Sequence, residues 1–466
     1  MSRRLRFNAF EMNCVAHQSP GLWTFPGDRA RQYKDIGYWT DLALILEEGR
    51  FDGIFIADVI GSYDVYGGSN GAALREAAQV PVNDPLQLAV PISMVTEHLG
   101  IGITASTSYE HPYLFARRLS TADHLTKGRI GWNIVTSYLE SGARNTGIPL
   151  RPHDDRYEVA AEYLEVIGKL LEGSWEEDAV LADPARRIYA DPAKVHPIRH
   201  KGRCFDVPGP HLCEPSPQRS PVLYQAGASR AGIGFAAKHA ECVFVSTPTQ
   251  AALARYITAL SEAAAAQGRQ RHDFLVYALA TVIVEETDAK AQALYQHCLD
   301  HVSTEGALVL LSGWTGADLS AYAPGDPLAK IRAESGLSML ERFADQRDWS
   351  LADLARWAGI GGAGPVIVGG PETVADQLEA WQETTGVDGF NLARVTAHQT
   401  FANVTGYLVP ELQRRGIYPR DYAPGTLRQK LFGQGDRLRA SHPAARFRHP
   451  AAMAEAPGPH LVPPFS

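Results

Sequence analysis

The stretch PVLYQAGASRAGIGFAAKHAECVFVST, residues 221–247, decides the fold. Pro221–Gly227 is short and mostly apolar, Gly227–Gly232 turns the chain into a helix, and Glu241–Thr247 repeats the apolar pattern. Strands apolar on both faces belong in a parallel sheet covered on both sides, and strand–helix–strand is the unit that builds one. Six more segments read the same way: Arg6–Met12, Phe51–Asp58, Leu99–Thr107, Arg129–Thr136, Leu275–Val284 and Gly386–Arg394. Helices are predicted between them. Asp35–Glu48 gathers Leu42, Ile45 and Leu46 on one face, and Tyr157–Leu171 gathers Val159, Tyr163, Val166 and Leu170. Thr249–Gln267 is Ala-rich, and Glu372–Thr384 follows Pro371, a residue suited to a helix's first turn. Eight strands alternating with helices predict an α/β chain folded as a (β/α)8 TIM barrel, with a doubly wound open sheet as the alternative.

The 466 residues exceed what a bare barrel needs. The excess falls in two Pro- and Gly-rich insertions, at about 174–220 and 301–364, and in a C-terminal extension. The expected organisation is one barrel domain over residues 1–420, with 421–466 packing on a neighbouring subunit. Leu275–Val284, apolar except for Thr281, is ten residues long, against the roughly twenty of a membrane span. Arg3, Arg4 and Arg6 are followed by Asn8, Glu11 and Asn13 rather than by a signal-peptide core. Five cysteines (Cys14, Cys204, Cys213, Cys242, Cys298) without a C-x-x-C pair argue for a reducing cytoplasm rather than disulfides or structural zinc. A net charge of −8 gives no footprint for nucleic acid.

In a barrel, side chains just past the strands' carboxyl ends converge on one face. Reading there gives Phe10, Cys14 and His17, then Asp58, Tyr63 and Tyr66, then Thr104, Ser106 and Tyr109, then Asn133, Ser137 and Tyr138. Gly227–Gly232 follows a strand and opens a helix. It reads either as a phosphate cradle, with Ser229 adding a hydroxyl and Arg230 a charge, or as an ordinary turn. Gly359, Gly361 and Gly364 also spell G-x-G-x-x-G, but ahead of a strand, so this reads as a flexible loop and not a dinucleotide fingerprint. No metal site is expected. His196 and His200 are separated by Pro197, and His297 and His301 lack a clear third ligand. Cys14 reads as a small wall thiol and His17 as an acid/base or substrate-contact candidate. Trp314, beside Gly313 in a suspected lid, reads as pocket wall.

Long words of the sequence carry a resemblance: Asn8–Cys14, Phe55–Val59, Tyr63–Tyr66, Val80–Pro85, Asp123–Arg129, Trp132–Ser137, His211–Arg219, Gln225–Ser229 and Val387–Leu392. From about Arg6 to Pro450 the chain resembles the flavin-dependent monooxygenases of the bacterial luciferase superfamily, in the nitrilotriacetate monooxygenase branch. Within that branch its words are nearest to the sulfide- and alkane-oxidising enzymes. The resemblance implies a TIM barrel, reduced FMN supplied by a separate NAD(P)H:flavin reductase, O2 as co-substrate and a flavin hydroperoxide as oxidant. It also implies a small apolar substrate and a homodimer or homotetramer.

Carried over by position, Asp58, Thr104 and Asn133 are expected near the isoalloxazine. Ser137, Tyr157, Gly227, Ala228, Ser229 and Arg230 are expected around the ribityl chain and phosphate, with His153 closing that end. His17 and Tyr138 are the candidates for proton handling, and Phe10, Cys14, Tyr63, Gln79 and Trp314 for the substrate pocket. Tyr138 stands where the alkane enzymes carry a histidine, and Ser312–Gly316 also looks like the sulfide enzymes. Oxidation of a small organic sulfide to a thiol and an aldehyde is therefore expected first. A long-chain alkane or other xenobiotic monooxygenase is the alternative, and a flavin-binding protein without turnover is the alternative of another class.

Overall fold

The structure, a computed structural model, describes residues 4–335 and 349–449. Its centre is a closed parallel barrel of eight strands: β1 (Phe7–Met12), β2 (Gly53–Ala57), β3 (Gly100–Ser106), β4 (Ile130–Val135), β5 (Val222–Ala226), β6 (Cys242–Val245), β7 (Leu275–Val284) and β8 (Gly389–Ala393). Each strand pairs with the next, and β1 pairs with β8 (Asn8 opposite Asn391), so no edge remains. The expected barrel is borne out strand for strand. A ninth strand, Val366–Gly369, adds to the far end of β7.

The covering helices include α1 (Ile36–Glu48), α2 (Pro112–Leu125), α3 (His153–Gly168), α4 (Arg230–His239), α5 (Gln250–Ala265), α6 (Thr304–Thr315), α7 (Leu351–Ala358) and α8 (Pro371–Thr385). Helix α3 begins four residues before the expected Tyr157. Asp154 and Asp155 sit in its first turn, where carboxylates favour the helix dipole. Phe55, Tyr224, Phe244 and Tyr277 fill the barrel, Tyr224 lying parallel to Phe244 with centroids 5.2 Å apart. Gly131 makes room for this layer, because a Cβ there would lie 2.2 Å from the Tyr224 ring.

The two expected insertions take different forms. Residues 174–220 hold two small antiparallel ribbons, and the described part of 301–364 forms helices with their own core of Leu308, Leu311, Leu319, Leu328, Ile331, Leu351 and Leu354. Residues 336–348 of that insertion lie outside the described residues. The loop expected to be flexible at Gly359–Gly364 is instead a packed turn. A Cβ at Gly361 (φ +72°) would lie 1.6 Å from Thr281 Oγ1. No helix among the described residues is long and apolar enough to cross a membrane.

Of the extension, residues 421–449 lie against the barrel of their own chain; 450–466 lie outside the described residues. Helix α9 (Leu427–Phe432) caps the amino end, with Leu427 and Leu431 joining the internal rings. Arg428, 1% exposed, bonds both Glu241 oxygens at 2.7 and 2.8 Å and the carbonyls of Ser220, Pro221 and Asp436. The reason for the intramolecular seat is that this guanidinium finds all its acceptors at the barrel's base.

Burial alone would raise the Glu241 carboxyl, but Arg428 holds it below its ordinary value. Arg428→Ala strands a buried carboxylate and is expected to cost about 3–5 kcal/mol in chemical denaturation. Because Glu241 is held low, the pair's contribution is full above the ordinary carboxylate range and fades as pH falls through the lowered value. The variant's deficit should therefore shrink in acid. An unchanged denaturation midpoint at neutral pH would show that α9 does not brace the barrel.

Candidate active site at the carboxyl end of the barrel

The mouth is organised from the seam between the first and last strands. Glu11 on β1 and Arg394 just past β8 form a buried ion pair, Arg394 Nε donating to Glu11 Oε2 at 2.9 Å. Arg394 Nη2 donates to the Val15 carbonyl at 3.1 Å, and Ser19 Oγ donates to the Arg394 carbonyl at 3.2 Å. From the other side, Gln79 N donates to the Ala16 carbonyl and Gln79 Nε2 to the His17 carbonyl. The loop carrying Cys14 and His17 is thereby held on both flanks.

His17 is 3% exposed, its ring edge-on to Phe10 with centroids 4.4 Å apart, and Phe10 stacks on Phe55. The Gln18 amide nitrogen lies 3.2 Å from His17 Nε2, which makes Nε2 the acceptor and leaves the proton on Nδ1, a buried atom without a partner. Burial, and then Arg394, push the His17 pKa down to about 3. The ring is neutral at ordinary pH, so it can donate a hydrogen bond but does not act as an imidazolium. Cys14 is 1% exposed, its Sγ 3.5 Å from the Ala16 carbonyl, and burial pushes its thiol up.

Four other expected residues do meet. Tyr63 donates to Gln79 Oε1 at 2.9 Å, lies 2.6 Å from the Tyr138 hydroxyl, and accepts from Trp314 Nε1 at 3.2 Å. Since the single Tyr63 proton goes to Gln79, Tyr138 is the donor in the Tyr138–Tyr63 bond. The Tyr138 side chain is partly exposed, and the enclosure of its hydroxyl beside Tyr63 raises that hydroxyl above its ordinary value. Gly313 allows α6 to close on Tyr63, because a Cβ there would fall 1.8 Å from the Tyr63 ring.

Also at the mouth, Asn133 Nδ2 donates to Thr104 Oγ1 at 3.0 Å, while Asn133 Oδ1 is buried without a partner among the described residues. Asp58 lies just past β2, and burial raises its carboxyl to about 7 against the opposing Val59 amide. Ser137 adopts φ +55°, its hydroxyl 2.8 Å from that of Ser106, and its carbonyl accepts from Arg156. At the start of α4 the Ser229 hydroxyl caps Gly232 N at 3.0 Å. Tyr157 packs on Phe235, and a Cβ at Gly227 or Gly232 would lie 3.3 or 2.9 Å from the Tyr157 hydroxyl. Ala228 and Arg230 are exposed there, and Arg230 makes no ion pair among the described residues. His153 is exposed and bonded to Asp154.

Glu11, Arg394, Gln18 and Arg156 also order this region, and the strand ends by themselves do not point to them. Two of them left a signal. A buried charge requires a partner, so a lone Glu in the first strand and a lone Arg after the last one point to each other.

The chain belongs to the luciferase-like monooxygenase family, which it matches over residues 13–388. It is 48% identical to dimethyl-sulfide monooxygenase of Hyphomicrobium sulfonivorans, over 96% of this chain and 94% of that one. It is 46% identical to long-chain alkane monooxygenase of Geobacillus thermodenitrificans strain NG80-2, over 96% and 99%. A crystal structure of a long-chain alkane monooxygenase superimposes with a TM-score of 0.90, covering 96% of this chain and 100% of that one at 46% identity. A crystal structure of riboflavin lyase with modified FMN and riboflavin superimposes with a TM-score of 0.89 at 36% identity, covering 96% and 100%.

The raised Asp58 carboxyl is tested in flavin-free protein. A carboxyl whose pKa rises from about 4 to about 7 on folding contributes stability below about pH 4 that is lost as pH climbs through 7. Asp58→Asn should therefore gain melting temperature over the parent between about pH 5 and 8 and gain nothing near pH 4. A difference that is flat across this range would show that Asp58 titrates normally.

Proposed function

We propose that the chain is the oxygenase of a two-component, FMN-dependent monooxygenase that oxidises a small organic sulfide at the carbon beside sulfur, using reduced FMN from a separate NAD(P)H:flavin reductase. The observation that carries the substrate class is the makeup of the mouth. Phe10, Tyr63, Tyr138 and Trp314 are aromatic, His17 is neutral, and the nearby Arg394 is already paired with Glu11. A polycarboxylate would meet no free cation in this cluster, and an uncompensated buried charge costs several kcal/mol. A thioether brings no charge. The tyrosine at 138, where the similar alkane enzymes have histidine, supports the sulfide over the alkane.

The residues present fit FMN. The amide end of α4, the exposed Ser229 hydroxyl and Arg230, without an ion pair among the described residues, suit a phosphate dianion, at a turn where Gly227 and Gly232 leave room for the Gln225 amide and the Tyr157 hydroxyl. The Asn133 Oδ1, without a partner among the described residues, suits a ring N–H, with Thr104 opposite it on the neighbouring strand and Asp58 at the end of the strand beyond. When bound, reduced FMN supplies the two electrons that activate O2. The chain's own work is to orient, to keep water out and to hold a proton.

Trp314 and Gly313 close α6 over Tyr63 and exclude water from the reacting centre. Tyr63 donates a hydrogen bond to Gln79 and accepts one from Tyr138, so Tyr138 stays a protonated donor whose oxygen can still accept. One oxygen atom enters the C–H bond beside sulfur, and the hemithioacetal so formed splits into thiol and aldehyde. The other oxygen leaves as water with two protons and the two electrons.

With reductase, NADH and FMN supplied, dimethyl sulfide should yield methanethiol and formaldehyde in step with oxygen uptake. Products from a long-chain alkane only would establish the alkane alternative, and flavin binding with no product from either would establish a storage role. Tyr138→Phe should lower product per O2 at least about tenfold, with hydrogen peroxide making up the difference; unchanged coupling would remove Tyr138 from proton handling. Ser229→Ala with Arg230→Ala should weaken FMN binding by about ten- to a hundredfold in a fluorescence titration. Unchanged affinity would move the phosphate elsewhere.

A further inference from the structure

Away from the mouth, on the outer wall, the insertion 174–220 meets the C-terminal extension at three metal-capable side chains. Among the described residues Glu176, His196 and His449 form a group in which one ligand atom from each lies within 4.8 Å of the others. An isolated antiparallel bridge, Trp175 opposite Val195, sets Glu176 and His196 side by side. It is fixed by Glu176 N donating to the Lys194 carbonyl at 3.0 Å and His196 N donating to the Ser174 carbonyl at 2.7 Å. His196 Nε2 stands 2.7 Å from Glu176 Oε1. The third residue arrives from the opposite end of the chain. Arg448 is anchored on the fully buried Glu172 at 2.7 Å, which seats His449 over His196 with ring centroids 4.1 Å apart.

We infer that these three residues form a zinc-binding site that ties the extension to the insertion. His449 Nε2 donates to the Gly173 carbonyl at 2.8 Å, which fixes the tautomer and leaves Nδ1 as the lone-pair nitrogen. That is the outer bond a metal-ligating histidine ordinarily makes. Two imidazole nitrogens and one carboxylate oxygen match a zinc site with water in the fourth position; hard cations such as Mg2+ take oxygen donors instead. Ligands at 2.0–2.1 Å from a tetrahedral zinc lie about 3.3 Å apart. The 2.7 Å His196–Glu176 contact therefore has to open slightly, with the proton that His196 Nε2 gives to Glu176 moving to Nδ1 through solvent, and His449 has to approach, movements open to side chains that are only partly buried. His196 and His200, separated by Pro197, do not form the group; the partners of His196 lie twenty residues before it and more than two hundred after it.

The test is isothermal titration of the full, chelator-treated chain with Zn2+, with Mg2+ as comparison and melting temperature as a second readout. One Zn2+ per chain is expected, with a raised melting temperature and no response to Mg2+. His449→Ala, His196→Ala and Glu176→Gln should each weaken that binding at least about tenfold and remove the zinc-dependent rise in melting temperature, while melting like the parent in chelator. No Zn2+ uptake by the parent chain, or undiminished uptake by the His196→Ala/His449→Ala double variant, would overturn the assignment. Should one single variant lose its fold in chelator, the other two still decide the outcome.

Discussion

The mouth of this barrel depends on one buried ion pair. A carboxylate on β1 and a guanidinium after β8 are costly to bury separately, and the pair compensates only if both stay in place. Removing one partner of such a pair costs about 3–5 kcal/mol. Because β1 and β8 are the first and last barrel strands, the Glu11–Arg394 bond sits on the seam where the sheet closes on itself. The same guanidinium takes the Val15 carbonyl, so closure of the barrel and placement of the loop bearing His17 are one event. It also sets the electrostatics of the loop, since Arg394 adds to burial in keeping His17 neutral.

Around that fixed point the mouth is assembled from parts far apart in the chain. Tyr63 comes from the connection after β2, Tyr138 from the end of β4, Gln79 from a residue with φ +53°, and Trp314 from the insertion after β7. Their bonds run in one direction because each hydroxyl has a single proton, and the Gln79 carbonyl claims that of Tyr63. Ordering the hub thus orders three loops at once, and the packed turn at Gly361–Gly362 backs it against Gln18 and Trp314. Elsewhere the mouth offers an Asn133 oxygen and an Arg230 guanidinium that have, respectively, no hydrogen-bond and no ion-pair partner among the described residues, and a helix start at Ser229 beside Tyr157, the complement of an anionic, heteroaromatic ligand.

The far end of the barrel is treated differently. Leu427 and Leu431 finish the stack of internal rings, and Arg428 gathers the loose carbonyls of the segment entering β5. A barrel with its amino end sealed has one accessible face, which confines the chemistry to the other. The same extension then crosses to the insertion after α3, where Glu172 holds Arg437 and Arg448. Two stretches that look like separate embellishments in sequence are packed together along the outside of one domain.

The sequence by itself determined the barrel, because unbroken apolar strands alternating with amphipathic helices have few ways to bury both faces, and period and order are local properties. It also pointed to the strand ends, whose polar and aromatic residues converge in any such barrel, and Phe10, Tyr63, Asn133, Tyr138 and Ser229 were legible for that reason. The tertiary structure alone decided which of these residues touch. It gave His17 a neutral ring, raised Asp58, and seated Arg428 of the extension at the base of the barrel. Each of those outcomes turns on burial, and two of them on a partner distant in sequence: Arg394 for His17 and Glu241 for Arg428. Desolvation and Coulomb forces act through space, and distance along the chain carries no record of them.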